Sequence, residues 1–257
     1  MYDVGVHSNI ARPALATASV PNSIPNFSAT IADHGTTFSY DMVGKNPQVT
    51  QATPSTSVKT MVIPLKIKLG GFGTTYDPTV GNACDSTSAL ARTLASPIFV
   101  KKAFSFGGTS VGTTQYVDAF QRANFWKYTK PGAINPGYHV LLTPTTIATQ
   151  TVNVPVADSA QGNIPCGHYA GVDIDWLDNY LQNTLIPSLA PLGVNSKVFP
   201  LFLTENVVEY IGTPVNCCVL GYHNAYQSSA TGGHAQTYSI SMYDNTWGAV
   251  RCCTPVR

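Results

Sequence analysis

The segment from Val198 to Asp244 constrains the fold most strongly, because it carries runs of apolar and β-branched residues bounded by Gly, Pro and Asn. Such runs are typical of β-strands, and they predict strands near 198–210, 217–226 and 235–243. We expect the last two strands to pair as a hairpin across 227–233. A strand meander of this kind has to bury its apolar face against another layer.

Directly upstream, residues 173–192 have the clearest helical periodicity of the chain. Asp173 or Asp175 is expected to cap the helix, Gly193 to end it, and Pro187 to kink or split it. The apolar residues that share one face are Ile174, Leu177, Leu181, Leu185, Leu189 and Leu192. Together these patterns predict an α+β fold, in which a twisted mixed β-sheet has a long backing helix and the N-terminal part is β-rich.

The N-terminal part contains two further elements that can be predicted. Large apolar residues occupy every second position of 61–69, which predicts a half-buried strand. Pro64 favours an edge position or a bulge, because proline cannot donate a backbone hydrogen bond. Thr114 is expected to cap a helix over 115–126. One apolar stripe of that helix consists of Tyr116, Val117 and Phe120.

The composition of the segments divides the chain into three parts. Residues 1–30 are rich in Pro, Ser, Asn and Ala without periodicity, which predicts an extended N-terminal arm. Residues 31–244 are predicted to form a single α+β domain. Two Arg and two Cys interrupt the composition of the chain in 245–257, so we expect an atypical tail that arises from a frameshifted or truncated end.

Charge is scarce in this chain. Charged residues make up 11% of it and the net charge is +1, which excludes the basic stripe of a nucleic-acid-binding protein. No apolar run reaches the roughly 20 residues of a membrane span, and the first residues lack a signal-peptide pattern. The uncharged polar composition suits an extracellular protein. We therefore expect a secreted protein whose signal peptide was removed or lies upstream.

The six cysteines form an even set without a C-x-x-C spacing, which favours disulfides over a zinc ribbon. Because neighbouring side chains on a strand face opposite ways, Cys217 and Cys218 are expected to bond different partners. Cys84 and Cys166 can supply those partners. Cys252 and Cys253 lie outside this scheme.

Ser110 is a candidate nucleophile, because Gly108–Gly112 matches the G-x-S-x-G pattern of serine hydrolases. In the alternative, Gly107 and Gly108 form the turn of a hairpin, since glycine adopts positive φ readily. The preceding residues 101–105 are too polar for the buried strand that a nucleophile elbow requires.

Two further pairs of residues could form a site. His223 and His234 lie on neighbouring predicted strands, where they could approach each other as metal ligands or serve as ordinary polar strand residues. Glu205 and Glu209 are the only glutamates, and on one strand they would share a face. They could act as an acid–base pair or as solvated surface charges.

Four segments of the sequence carry a family resemblance: Q-Y-V-D-A-F-Q-R-A-N-F-W (115–126), G-V-D-I-D-W-L-D (171–178), N-V-V-E-Y-I-G-T-P (206–214) and N-C-C-V-L-G-Y-H (216–223), followed by Q-T-Y-S (236–239). They resemble an uncharacterised family of secreted bacterial proteins, common in soil bacteria. In that family a helix with S-H-E-x-x-E-W follows the last strand and is similar to the metal-binding helix of zincin-type metallopeptidases.

The resemblance implies a zincin-like C-terminal half, which here lacks the active-site helix. It also implies zinc in full-length relatives, and no cofactor in this form. We therefore expect a secreted, metallopeptidase-related protein that is catalytically inactive, with a peptide or protein partner at the sheet edge. The alternatives are a non-enzymatic secreted binding or surface protein, and a serine hydrolase that uses Ser110.

Overall fold

The computed structural model describes residues 24–164, 167–227 and 233–244. These residues form a mixed α+β structure made mostly of strands with few helices, which confirms the predicted fold class at that level. The described residues contain no helix that is both long and apolar enough to cross a membrane.

The strands and helices have the following bounds. The strands are β1 (Asn26–Asp33), β2 (Thr36–Val43), β3 (Thr56–Leu69), β4 (Thr75–Tyr76), β5 (Lys102–Phe106), β6 (Thr109–Thr114), β7 (Val140–Thr146), β8 (Gln150–Val154), β9 (Ser159–Ile164), β10 (Gly167–Asp173), β11 (Phe199–Glu205), β12 (Val207–Tyr210), β13 (Cys217–Val219), β14 (Gly221–Gln227) and β15 (Ala235–Tyr243). The α-helices are α1 (Ala89–Leu94), α2 (Tyr116–Asn124), α3 (Trp126–Thr129), α4 (Ile174–Tyr180) and α5 (Ile186–Ser188).

Contacts between Cα atoms divide the chain into two compact units. The first unit includes Met61–Thr93 and the described residues from Thr145 onward, and the second includes Leu94–Pro144 and the described residues up to Thr60. β1 begins at Asn26, inside the predicted N-terminal arm. The rest of that arm before residue 24 and the predicted tail over 245–257 lie outside the described residues, and the single domain over 31–244 stays a prediction.

The first unit contains the strands predicted after residue 198, although the two near 198–210 and 217–226 are each divided between two sheets, so they do not form a simple meander. Its larger sheet has the order β14-β15-β11-β3-β4, with β8 also paired to β3. β15 runs parallel to β11 and antiparallel to β14, so this sheet is mixed and the predicted β14–β15 hairpin is confirmed. A second sheet has the order β13-β12-β10-β9.

The predicted helix over 173–192 is confirmed, although it is divided. Asp173 caps α4 by accepting hydrogen bonds from two backbone amides of the first turn. A π-helical turn over Leu181–Leu185 leads into α5, and a 3₁₀ turn ends at Gly193, whose φ is +94°. The division falls next to Pro187, as expected of a residue that cannot continue the backbone hydrogen bonding.

The apolar face of this helix packs on the sheet. Leu177, Leu181 and Leu185 are buried in one cluster with residues of β3, β11 and β15. The last residue of the predicted stripe, Leu192, is 52% exposed, because the chain has left the helical path in the 3₁₀ turn. The backing helix therefore covers the sheet through its first four turns.

β3 differs from its prediction as a half-buried strand with an edge or bulge position. Every residue from Met61 to Leu65 is buried, and β3 pairs with β4, β8 and β11. It is a central strand with both faces covered, and Pro64 lies within it. Within 61–69, the apolar residues at the start lie on both faces of the strand, and the lysines that produce the alternation come at the end, at Lys66 and Lys68.

In the second unit, α2 also differs from the expectation for an amphipathic helix. Its buried residues are Asp118, Ala119, Gln121 and Arg122, whereas the apolar stripe faces solvent. The Asp118 carboxylate accepts hydrogen bonds from Thr114 Oγ1 at 2.5 Å and from the Val140 amide at 2.6 Å, and it pairs with His139 Nδ1 at 2.8 Å. A buried polar network therefore holds α2 in place.

Candidate functional site

β14 forms the end of the larger sheet. Within the described ranges it pairs with β15 alone, and His223 lies opposite Ser239 in that pairing. The Met242 amide donates to the Leu220 carbonyl across 3.0 Å, so even-numbered residues in this register direct their backbone groups towards β15. The alternation of antiparallel pairing then places the backbone groups of His223 and Gln227 on the outer edge.

This outer edge lacks the usual protection. Natural edge strands are commonly shielded by lysine, proline or a bulge, because exposed backbone groups are a template for another strand. β14 reads G-Y-H-N-A-Y-Q, which contains neither lysine nor proline. The Ala225 amide, on the same edge, is satisfied by its neighbour Asn224 through Oδ1 at 2.8 Å. The edge is therefore open at His223 and Gln227 in the described part of the chain.

Asp178 of α4 anchors this edge strand from below. Its carboxylate accepts hydrogen bonds from Asn224 Nδ2 at 2.9 Å, from Gln182 Nε2 at 2.8 Å and from the Tyr238 hydroxyl. Burial, reinforced by the nearby Asp178 charge, raises the pKa of Tyr238. One carboxylate thus connects β14 and β15 to the backing helix.

A second carboxyl group, Glu209 of β12, lies deeper in the first unit. Its side chain is 0% exposed, and neither carboxyl oxygen has a hydrogen-bond partner among the residues that the structure describes. Burial raises the pKa of Glu209 to about 8, so the neutral acid predominates at pH 7. In the described part of the chain, the buried Tyr222 hydroxyl also lacks a hydrogen-bond partner. Burial, and then the nearby Asp178, Tyr238 and Glu209, raise the pKa of Tyr222.

Glu205 and Glu209 do not form the pair that a continuous strand would give. Asn206 has a φ of +53° and separates β11 from β12, so the two glutamates belong to different sheets. Both are buried, which contradicts the alternative of solvated surface charges. Glu205 accepts a hydrogen bond from Asn82 at 3.0 Å, and burial, with smaller contributions from two aspartates, raises its pKa to about 7.

The structure does not bring His223 and His234 together. His223 is opposite Ser239, and His234 lies five residues before Ser239 in the chain. At about 3.4 Å per strand residue, this register separates them by about 17 Å along the hairpin. In the part of the chain that the structure describes, no three His, Cys, Asp or Glu side chains form a group that could hold a metal ion.

The structure places Cys217 and Cys218 in close contact with each other, and the peptide bond between them is cis, with the Cα atoms 3.0 Å apart. The expectation that they bond different partners stays a prediction. Cys84 is disulfide-bonded. Cys166 lies outside the described residues.

Ser110 lies in a hairpin, which was the alternative interpretation of its motif. β5 and β6 pair antiparallel, with Ser110 opposite Ser105. Gly107 and Gly108 have φ values of +54° and +79°, as a two-residue hairpin turn requires. Ser110 is thus on an exposed strand and not at the strand-to-helix turn of a nucleophile elbow.

The cluster below β14, formed by Asp178, Tyr222, Asn224 and Tyr238, is not among the candidate sites that the sequence predicts. The sequence signal for this cluster is that every second residue of β14 faces the core, and these residues, at positions 222, 224 and 226, all carry polar groups. Polar side chains on a core-facing set of positions indicate a hydrogen-bonded network.

Comparison of the chain with protein-family models, with curated proteins and with solved structures finds no match. The site itself is therefore the basis for inferring what the protein does.

Proposed function

We propose that this chain is a secreted protein, related in scaffold to zincin-type metallopeptidases, that binds an extended peptide segment along the outer edge of β14. The observation that supports this function is the open, uncharged edge at His223 and Gln227. In strand addition, an extended peptide donates to and accepts from such an edge, so that main-chain hydrogen bonds provide the affinity.

The strand is held in place before any peptide arrives. Asn224 is bonded to Asp178 below it, and the Tyr226 and Tyr238 rings are in edge-to-face contact with their centroids 6.4 Å apart. Seven residue pairs connect β14 to β15. A binding edge that is already ordered loses little conformational entropy when it binds, which favours affinity.

The relation to zincin-type peptidases is part of the same proposal. It is supported by the segments quoted above, and by a mixed sheet with an antiparallel edge strand and a helix packed on one face. In the proposed function the described residues bind a peptide without cleaving it. This overlaps with the alternative of a non-enzymatic secreted binding protein, and the two differ only in ancestry.

The proposal is tested with two variants at one position and β-casein, a disordered polypeptide, as the probe. His223→Pro removes the outward amide, whereas His223→Ala retains the amide and removes the imidazole. Because residue 223 does not bond to β15 through its backbone, neither change interrupts that pairing. We expect His223→Pro to weaken casein binding about tenfold, in line with the loss of one hydrogen bond of about 1–1.5 kcal/mol, and His223→Ala to bind normally.

Two results would contradict the proposal. Equal loss in both variants would show that the imidazole, not the backbone, is responsible, and normal binding by both variants would show that casein binds elsewhere. Gel electrophoresis of the incubated casein checks the absence of cleavage, because fragments would contradict a function of binding alone.

A further inference from the structure

The β5–β6 hairpin and helix α2 of the second unit expose an unusual amount of aromatic surface. We call it the aromatic surface, and it consists of Phe104, Phe106, Tyr116, Val117 and Phe120. Phe106 is 72% exposed, Phe120 63% and Tyr116 54%. Because α2 is held by its polar face, this apolar face remains available.

These side chains form one continuous surface. The Phe104 and Tyr116 rings meet edge to face, with their centroids 5.9 Å apart. Phe106 is two residues after Phe104 on β5 and so points to the same face of that strand. Phe120 is four residues after Tyr116 on α2 and so lies next to it on the helix.

The hairpin turn is surrounded by open space. A Cβ atom added at Gly107 or Gly108 would meet no heavy atom within 4 Å. Phe106, which is 72% exposed, immediately precedes this turn. The ring of Phe106 therefore lies at an uncovered tip of the hairpin.

The exposed charges in 98–130, the segment that carries this surface, all have one sign. They belong to Lys101, Lys102, Lys127 and Lys130. The one acidic residue in that segment is Asp118, which is buried and bonded to Thr114 and His139. Lys102 shares a face of β5 with Phe104 and Phe106. Exposed aromatic residues are thus combined with exposed lysines in one segment of the chain.

We propose that the aromatic surface binds peripherally to an anionic lipid bilayer. Phe106 and Phe120 would enter the boundary between headgroups and acyl chains, where aromatic rings are favoured, and Lys101 and Lys102 would remain at the anionic headgroups. A bilayer deforms around a projecting side chain, whereas a protein partner needs a matching cavity. This proposal is independent of peptide binding at β14, which belongs to the first unit.

Co-sedimentation with lipid vesicles tests the proposal. The vesicles contain phosphatidylcholine alone or mixed with phosphatidylserine, and the proteins are the wild type, Phe106→Ser/Phe120→Ser and Lys101→Glu/Lys102→Glu. The matched controls are Val215→Ser and Lys197→Glu, which change an exposed apolar residue and an exposed lysine in the first unit. We expect the wild type to bind only the mixed vesicles.

Each lysine near an anionic surface contributes about fivefold to binding, so the double lysine variant should bind more than about 25-fold more weakly, because its charge is reversed. The double phenylalanine variant should also lose most binding, and both controls should bind like the wild type. The proposal is overturned if the wild type ignores mixed vesicles, or if the phenylalanine variant binds like the wild type. It is also overturned if sedimentation without lipid shows a dimer that this variant abolishes, since the surface would then cover a second copy of the chain.

Discussion

Asn224 of β14 donates a hydrogen bond to Asp178 of α4 across 2.9 Å, and this bond attaches the edge strand of the sheet to its backing helix. The same asparagine accepts from the Ala225 amide. Asn224 therefore orders β14 and also satisfies one of the donors on its outer edge. The edge is therefore positioned by side chains that belong to no metal-binding or nucleophile motif.

Asn224→Ala should destabilise the protein by about 1–3 kcal/mol, because it leaves one oxygen of the Asp178 carboxylate with fewer donors in a half-buried position. Urea denaturation measures this change. Asn183→Ala is the matched control, since Asn183 is exposed and its hydrogen bonds to described residues go to Asn179 of its own helical segment, and it should change the stability by less than about 0.5 kcal/mol. Equal effects of the two substitutions would contradict the anchoring role of Asn224.

Glu209 should make the stability of the protein decrease as the pH rises. Its pKa is raised from 4.5 to about 8 by burial, so between these values the folded state retains a proton that the unfolded state has released. The stability present below pH 4.5 is therefore lost progressively up to about pH 8, by at most about 1.4 kcal/mol per pH unit.

The variant Glu209→Gln isolates this contribution, because glutamine stays neutral at every pH. Glu205 titrates in the same direction but only up to about pH 7, so the interval from pH 7 to 8 reports mainly on Glu209. Denaturation at these two pH values should show a loss of stability in the wild type and a smaller loss in Glu209→Gln. Identical losses would mean that Glu209 is already ionised in the folded protein.

Helix α2 should respond to substitution in the opposite way to an ordinary amphipathic helix. Asp118→Ala should cost about 3 kcal/mol or more, because it leaves the buried Thr114 hydroxyl and the Val140 amide without their acceptor. Phe120→Ser, on the exposed face, should change stability by less than about 0.5 kcal/mol. If chemical denaturation shows a larger loss for Phe120→Ser, the orientation of the helix is wrong.

The leucines of the backing helix should differ in the same experiment. Leu185→Ala should cost about 2–5 kcal/mol, because Leu185 is buried against the sheet and its removal leaves a cavity. Leu192→Ala should cost no more than about 0.5 kcal/mol, since Leu192 is exposed in the 3₁₀ turn. Thermal denaturation of the two variants tests whether the contribution of this segment to the core has ended at Leu192.

The sequence predicted the elements whose signal is local. Periodicity and capping were sufficient for the helix at Asp173, and the glycine pair was sufficient for the β5–β6 hairpin. Alternation was sufficient for β15. In each case the signal and the structure that it specifies lie within a few residues of each other in the chain.

The elements that were missed depend on distant partners. β3 is central because other strands cover both of its edges, and α2 is inverted because Asp118 finds donors on a neighbouring strand. The cluster at Asp178 joins α4 to β14 and β15, both of which lie more than forty residues after Asp178 in the chain. A pattern within one element does not reveal such contacts, since tertiary packing overrides local propensity.

The most direct test of strand addition at β14 is amide hydrogen exchange measured by NMR, residue by residue, with and without β-casein. The outward amides of His223 and Gln227 should exchange more slowly when casein is bound, because the added strand accepts from them, while the amide of Asn224 should change little. Unchanged exchange at His223 and Gln227 under conditions where casein is bound would contradict the proposed function.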